Sequence, residues 1–155
     1  MLDINIIFHI KNNSDLDYKS RIEDIKQIFA CTDFAELNIT GDISLLIADN
    51  KYIRKLNNEF RNKDSSTNVL AFPNDSDNQE EEKYLGDIII SVEKLKEEAL
   101  EQNKSYESHF MHLTIHGILH ILGHDHINKI DRENMENLEI SLLNKLGYKN
   151  PYQIS

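Results

Sequence analysis

The chain has 155 residues, of which 39% are hydrophobic and 28% are charged, and its formal net charge at pH 7 is −10. A chain of this length can bury a sizeable core, which predicts one domain, residues 1–155. Its single cysteine, Cys31, allows no disulfide within the chain, and no apolar run approaches the roughly 20 residues of a membrane span. We therefore expect a soluble, cytoplasmic protein without a membrane partner, and we expect residues 1–10 to form a strand rather than a signal peptide.

Hydrophobic spacing predicts the secondary structure in chain order. Alternating or continuous apolar residues predict strands at 3–9, 36–40, 43–48, 67–72 and 84–90. Apolar residues at helical spacing predict helices at 18–30, 50–60, 91–101, 105–122 and about 131–146. This order predicts an α/β or α+β fold of three layers, in which helices surround a small mixed β-sheet and one helix carries the candidate metal site described below.

Individual residues predict where these elements begin and end. A turn at Gly41 and Asp42 is expected to join the two short strands around it as a hairpin. Asp49 and Ser91 are expected to be the N-caps of two helices. Gly123 and Gly147 are expected to end two others. The apolar run at 88–90 predicts a strand that is buried on both faces.

Charge is distributed unevenly along the chain. The stretch 75–82 is acidic and predicts a polar loop, since it holds Asp75, Asp77, Glu80, Glu81 and Glu82. The basic strip lies at 51–63 and has a local excess of four positive charges (five minus one), with Lys51, Arg54, Lys55, Arg61 and Lys63 against Glu59. The net charge argues against nucleic-acid binding, which needs cations for phosphate contacts, but the basic strip could supply them. A solvated helix face is an equally good interpretation of its first three cations.

The strongest chemical signal is the stretch 116–126, His-Gly-Ile-Leu-His-Ile-Leu-Gly-His-Asp-His. His116 and His120 lie four residues apart, so on one helix face both imidazoles can approach one ion. Gly123 tolerates the left-handed conformation that turns the chain back, which allows His126 to supply a third ligand. Three imidazoles and one open position are typical of catalytic zinc sites, because structural sites usually have four protein ligands. The sequence predicts one Zn²⁺ per chain on these three histidines, although imidazoles also suit nickel, copper and iron.

Four neighbouring residues have open roles. His109 and His112 lie one to two turns before the predicted ligands, and we expect them to support those ligands or to lie at the surface. His124 is read as a loop side chain, with competition for the metal or contact with substrate as the alternatives. Asp125 could cap the chain, orient a ligand imidazole or have no special role.

The residue after His116 separates two classes of zinc enzyme. In peptidases with His-Glu-x-x-His, this residue is the glutamate that acts as general base, but here it is Gly117. The remaining spacing, His-x-x-x-His-x-x-Gly-x-x-His, matches the metzincin peptidases. Zinc can still lower the pKa of its bound water to about 7 without that glutamate. The missing base argues against amide hydrolysis, in which the leaving amine needs a proton.

Three blocks of sequence resemble the YbeY-type endoribonucleases, bacterial metalloproteins linked to rRNA maturation. The metal block resembles the family's His-Gly-x-Leu-His-Leu-x-Gly-Tyr-Asp-His and departs at Ile121 and His124. The block 56–73 is similar to the family's Leu-Asn-x-x-Tyr-Arg-x-Lys-Asp-x-Pro-Thr-Asp-Val-Leu-Ser-Phe-Pro and departs at Phe60, Ser66, Asn68 and Ala71. The stretch 85–91 is similar to the family's Leu-Gly-Asp-Ile strand.

This resemblance implies a single zinc-dependent endoribonuclease domain that cleaves single-stranded RNA, with no DNA substrate expected. The substrate is expected to be rRNA, in 3′ end maturation of the small-subunit 16S rRNA and in ribosome quality control, with the ribosome or ribosomal proteins as partners. Arg61 matches the family's arginine and is the expected catalytic residue, because a guanidinium can grip a phosphate through two hydrogen bonds and stabilise its developing charge. A helix C-terminal cation is the alternative for Arg61. For Asp87, a capping or anchoring role is favoured over orientation of a zinc ligand.

Two other functions stay open at the level of sequence. One is a zinc peptidase or amidase of metzincin-like geometry with a base from elsewhere, for which Asp125 and Asp87 are the nearest candidates. The other is a ribosome-associated binding protein whose zinc is structural. Removal of zinc separates the two uses of the metal, because a structural ion takes the fold with it.

Overall fold

The computed structural model describes residues 3–10, 18–30, 39–74, 84–124 and 128–153. Its strands are β1 Asp3–Ile10, β2 Thr40–Ala48, β3 Val69–Pro73 and β4 Tyr84–Ser91. Its helices are α1 Lys19–Ala30, α2 Asn50–Arg61, α3 Val92–Glu101, α4 Tyr106–Ile121 and α5 Lys129–Lys145. Within these ranges, no helix has both the length and the apolar character needed to cross a bilayer. The predicted acidic loop at 75–82 lies outside the described residues.

The strands form a mixed sheet in the order β1-β2-β4-β3. β1 and β4 both pair parallel with β2, and β3 pairs antiparallel with β4. The predicted mixed α/β architecture is therefore confirmed. β3 is an edge strand, which explains why its last residue can be Pro73, since an edge position needs no donor N–H.

The predicted hairpin at Gly41 and Asp42 is wrong. Both residues lie inside β2, whose neighbours are β1 and β4. The pairing register with β4 shifts between Asp42 and Ile43, so the chain passes through an irregularity and does not reverse. Thr40 and residues 43–48 are correctly predicted as strand. The partners of β2 lie far away in sequence and cannot be found from local turn residues. Residues 36–38 of the predicted strand 36–40 lie outside the described residues.

The sheet separates two hydrophobic cores. The larger core packs β1, β2 and β4 against helices that include α4, and it contains Ile88 and Ile90. The smaller core lies under α2 and contains Ile53, Leu70 and Ile89. Because neighbouring strand residues point to opposite faces, α2 and α4 lie on opposite sides of the sheet. Burial of β4 on both faces is therefore confirmed for residues 88–90.

The predicted helix boundaries agree with the structure within about two residues. Asp49 and Ser91 cap α2 and α3, accepting hydrogen bonds from the backbone N–H groups of Tyr52 and Lys94. Gly123 follows α4 with a φ of +102°. The N–H of Gly123 donates to the carbonyl of His120 and the N–H of His124 to that of Leu119, the two bonds of a Schellman motif. The same pattern ends α5 at Gly147, whose φ is +90°.

Candidate metal centre

Helix α4 brings four histidines to one side, with burial decreasing along the chain. His109 and His112 are buried, whereas His116 and His120 are half-buried near the C-terminal end of the helix. The ring centroids of His116 and His120 are 6.0 Å apart. The two predicted ligands on the helix therefore lie side by side as the spacing predicts. His126 and Asp125 lie outside the described residues, and within those residues no three ligand side chains converge on one point.

A buried carboxylate, Glu139 of α5, holds one predicted ligand. Its Oε1 atom accepts hydrogen bonds from His116 Nδ1 at 3.0 Å and from His112 Nε2 at 2.9 Å. Its Oε2 atom accepts one from the Tyr152 hydroxyl at 2.8 Å. Glu139 is only 1% exposed. Because a carboxylate only accepts hydrogen bonds, His116 must carry its proton on Nδ1, which makes Nε2 the nitrogen that can bind a metal.

Electrostatics keep Glu139 ionised in this environment. Burial alone raises its pKa, but hydrogen bonds and charge from His112 and His116 outweigh burial and lower the pKa to about 2. Burial lowers the pKa of His112, and its hydrogen bond to Glu139 only partly opposes this effect. His112 is therefore neutral near pH 7, so at that pH it stabilises the carboxylate by donating a hydrogen bond rather than by carrying charge. Burial also raises the pKa of Tyr152, which keeps its hydroxyl protonated as a donor.

This arrangement fits a metal site. A ligand histidine whose second nitrogen donates to a carboxylate is the usual support for a metal bound through imidazole. His112 supports the predicted ligand indirectly through the shared Glu139, as expected from the sequence. Glu139 and Tyr152 were not predicted, because they come from α5 and from the segment after it. The available signal was a glutamate on the apolar stripe of α5, alongside the buried Met135 and Leu143.

A second histidine–carboxylate pair joins the buried His109 to the half-buried Glu98. His109 Nε2 donates to Glu98 Oε1 at 2.9 Å, and Asn68 Nδ2 donates to the same oxygen at 3.1 Å. His109 is therefore hydrogen-bonded to helix α3 through Glu98. The family has an aspartate at the position of Asn68. An aspartate here would place a second carboxylate against Glu98, whereas the Asn68 amide donates a hydrogen bond to it.

Two cavities adjoin this end of α4. The smaller, about 120 Å³, is lined by His116, Arg132, Met135, Glu136, Glu139 and Tyr152. The larger, about 590 Å³, is lined by residues that include His124 and Asp131. His124 therefore lines a cavity beside the helix end.

Gly117 allows α4 to lie close to the sheet. A Cβ atom at this position would be 2.9 Å from two carbons of the Ile88 side chain, which is only 1% exposed in the larger core. A glutamate at 117 would point into this packed interface rather than towards a substrate. The structure therefore gives a physical reason why the peptidase base is missing.

Arg61 ends α2 with an exposed guanidinium in a defined position. Its Nη2 atom donates to the carbonyl oxygen of Ala71 at 3.2 Å, and its Cζ atom lies 5.5 Å from the centroid of the Phe72 ring. These contacts place Arg61 at one end of the β3–β4 pair. Helix α4 reaches the same end, because its Ile121 packs against Gly86, the residue of β4 that pairs with Pro73 of β3.

Two other charged residues singled out by the sequence, Arg54 and Asp87, have defined partners in the structure. Arg54 forms a two-bond ion pair with Asp64, at 2.7 and 3.1 Å. Including Asp64 lowers the excess of the basic strip to three (five minus two). Asp87 pairs with Phe72 and shares its face of the sheet, under α2 and away from α4. Asp87 accepts a hydrogen bond from the Tyr84 hydroxyl, which agrees with an anchoring role rather than orientation of a ligand on α4.

Comparisons with known proteins agree on one family. The sequence profile described as Endoribonuclease YbeY matches residues 7–147. An Endoribonuclease YbeY of Vesicomyosocius okutanii is 46% identical over 114 residues, 72% of this chain and 79% of the relative. That of Ruthia magnifica is 37% identical over 154 residues, 98% of this chain and 100% of the relative. The solution structure of Thermotoga maritima TM1509 has a similar fold, with a TM-score of 0.57, 22% identity and 99% coverage of both chains.

Proposed function

The chain belongs to the endoribonuclease YbeY family and is an endoribonuclease, a hydrolase acting on RNA, and we propose that it cleaves single-stranded RNA at a zinc site formed by His116, His120 and His126. The hydrogen bond between His116 Nδ1 and the buried Glu139 is the observation that carries the zinc site. This bond restrains the ring and makes Nε2 the nitrogen that can bind a metal, as a metal ligand requires. A zinc ion held there would supply Lewis acidity towards water and the phosphate.

Arg61 is proposed to bind the scissile phosphate. One N–H group of Arg61 donates to the carbonyl oxygen of Ala71, and the guanidinium lies near the Phe72 ring. These contacts orient the guanidinium, while the residue stays exposed. Its other N–H groups can donate to phosphate oxygens and stabilise the charge that develops during cleavage. The alternative of a simple helix C-terminal cation predicts no effect on turnover when Arg61 is replaced.

The biological setting is proposed from the family resemblance. We propose that residues 1–155 act as one domain in the cytoplasm, on the 3′ end of the small-subunit 16S rRNA and in ribosome quality control. The ribosome or its proteins would then be partners. A ribosome-binding protein with structural zinc is the competing proposal, and it requires that a chelator unfold the protein. The peptidase proposal loses support because Gly117 packs on Ile88.

The proposal is tested by cleavage of a labelled single-stranded RNA by the zinc-loaded protein. Wild type should cut the RNA, His116→Ala should lose both zinc and cleavage, and Arg61→Ala should keep zinc and lose turnover. Arg54→Ala is the matched control, because Arg54 lies on the same helix but is paired with Asp64. Equal cleavage by all four proteins would mean a contaminating nuclease, and cleavage by metal-free His116→Ala would refute the mechanism.

A further inference from the structure

A cavity of about 370 Å³ lies on the opposite side of the sheet from α4, between α2 and the strands. Its size falls within the ~300–1,000 Å³ range of small-molecule sites. Its lining combines aromatic and aliphatic side chains with a few polar ones, among them Ser44, Leu46, Tyr52, Phe60, Phe72 and Asp87. The composition fits a ligand with a flat apolar face and a polar edge.

The cavity contains an unusually exposed aromatic ring. Phe60 is 65% exposed although it borders an apolar cavity, and its ring centroid is 5.5 Å from that of Phe72. Phe72 is also the ring against which Arg61 rests. A ligand stacked on Phe60 would therefore lie beside the guanidinium that we assign to the phosphate. In single-stranded RNA, each base lies close to a backbone phosphate, so one strand can place a base on Phe60 and a phosphate at Arg61.

The polar edge of the cavity is an acceptor. Asp87 accepts a hydrogen bond from Tyr84, and burial raises the pKa of Tyr84, which keeps that hydroxyl protonated as the donor. The Asp87 carboxylate can accept further hydrogen bonds but cannot donate any. It therefore favours a ligand that presents N–H groups and disfavours one that presents a carbonyl oxygen. Among pyrimidine bases, cytosine has an amino group at position 4 and uracil has a carbonyl there.

We propose that this cavity binds a base of the RNA strand next to the scissile phosphate, and that it prefers a base with an exocyclic amino group, such as cytosine, over uracil. Phe60 and Phe72 supply the stacking surface, Asp87 reads the amino group, and Arg61 holds the adjoining phosphate. This inference deepens the proposed function and depends on it for the identity of the ligand.

The test measures binding separately from cleavage. Fluorescein-labelled hexamers of cytidylate (C6) and uridylate (U6) are titrated with His120→Ala protein and followed by anisotropy. This variant lacks a predicted metal ligand, so it should not cleave the RNA during the titration. It keeps the hydrogen bonds that Glu139 accepts from His112, His116 and Tyr152. C6 should bind about fivefold or more tightly than U6, because a carboxylate that accepts from cytosine N4 discriminates at this level.

Two further substitutions in this background assign the effect to the cavity. Phe60→Ala should weaken both hexamers about fivefold or more through lost stacking. Leu100→Ala is the matched control, since Leu100 is 71% exposed on α3 and should leave both affinities unchanged. Asp87→Asn should abolish the preference for C6 while the protein stays folded, because an asparagine oxygen can still accept from Tyr84.

Each outcome has a defined meaning. Equal binding of C6 and U6 by the parent protein, or a preference that survives Asp87→Asn, would overturn the base-reading role of Asp87. Unchanged binding in Phe60→Ala would overturn the stacking site. Failure of the proposed function gives a different result, namely the absence of wild-type cleavage in the earlier assay, and a base preference that depends on Asp87 would still support the cavity.

Discussion

The role of Glu139 provides the most direct test of the structure. Glu139→Ala removes the acceptor for the imidazole N–H groups of the buried His112 and the half-buried His116, and for the hydroxyl of Tyr152. Tyr152 is 42% exposed and can turn to water, so its loss contributes little. Each buried donor left without a partner costs about 1–3 kcal/mol. Breaking a buried charged network by removing one member costs about 3–5 kcal/mol.

We therefore expect Glu139→Ala to lower the free energy of unfolding of the metal-free protein by about 3–5 kcal/mol. Glu139→Gln keeps an oxygen acceptor and loses only the charge, so it should lower the free energy of unfolding by about 1–2 kcal/mol. Both variants should also bind zinc more weakly, by about 10- to 100-fold, because the ring of His116 is no longer held by a carboxylate.

The assays are urea unfolding of the metal-free proteins and competition for zinc with a chromophoric chelator. Glu133→Gln is the matched control, since Glu133 is exposed on the same helix and its replacement should change the free energy of unfolding by less than about 0.5 kcal/mol. If Glu139→Ala binds zinc within twofold of wild type, the carboxylate does not anchor the ligand and the reasoning is wrong.

Three further results are expected. Gly117→Ala should lower the free energy of unfolding by about 1–3 kcal/mol, because its methyl group meets Ile88 at 2.9 Å, and Ile88→Val in the same protein should recover part of that loss. The pKa of Glu139 is lowered from 4.5 to about 2, so its stabilising contribution is complete above pH 4.5 and is lost as the pH falls towards 2. Between pH 6 and pH 3.5, the free energy of unfolding in urea should therefore decrease more for metal-free wild type than for Glu139→Gln. Replacing Lys51 and Lys55 by alanine should flatten the decrease of RNA affinity with salt, measured by anisotropy between about 50 and 200 mM salt, whereas an unchanged slope would exclude these lysines from phosphate contacts.

Much of the fold could be predicted from neighbouring residues alone. The caps at Asp49 and Ser91 depend on a side-chain oxygen within three residues of its donor, and Gly123 and Gly147 end helices through their own backbone freedom. The spacing of His116 and His120 likewise follows from the helical repeat. The pairing of β2 could not be predicted in this way, because its partners are more than 35 residues away in the chain.

Most helices and strands, the histidine pair on α4 and the family resemblance follow from the sequence, because they depend on short-range spacing and on motifs that are contiguous in the chain. The side chains that surround the histidine pair are known only from the tertiary structure. Glu139 lies 23 residues after His116, and Arg61 contacts Phe72 across a loop. Such contacts depend on how α5, α4 and the sheet pack together, and packing is a property of the whole chain rather than of any local pattern.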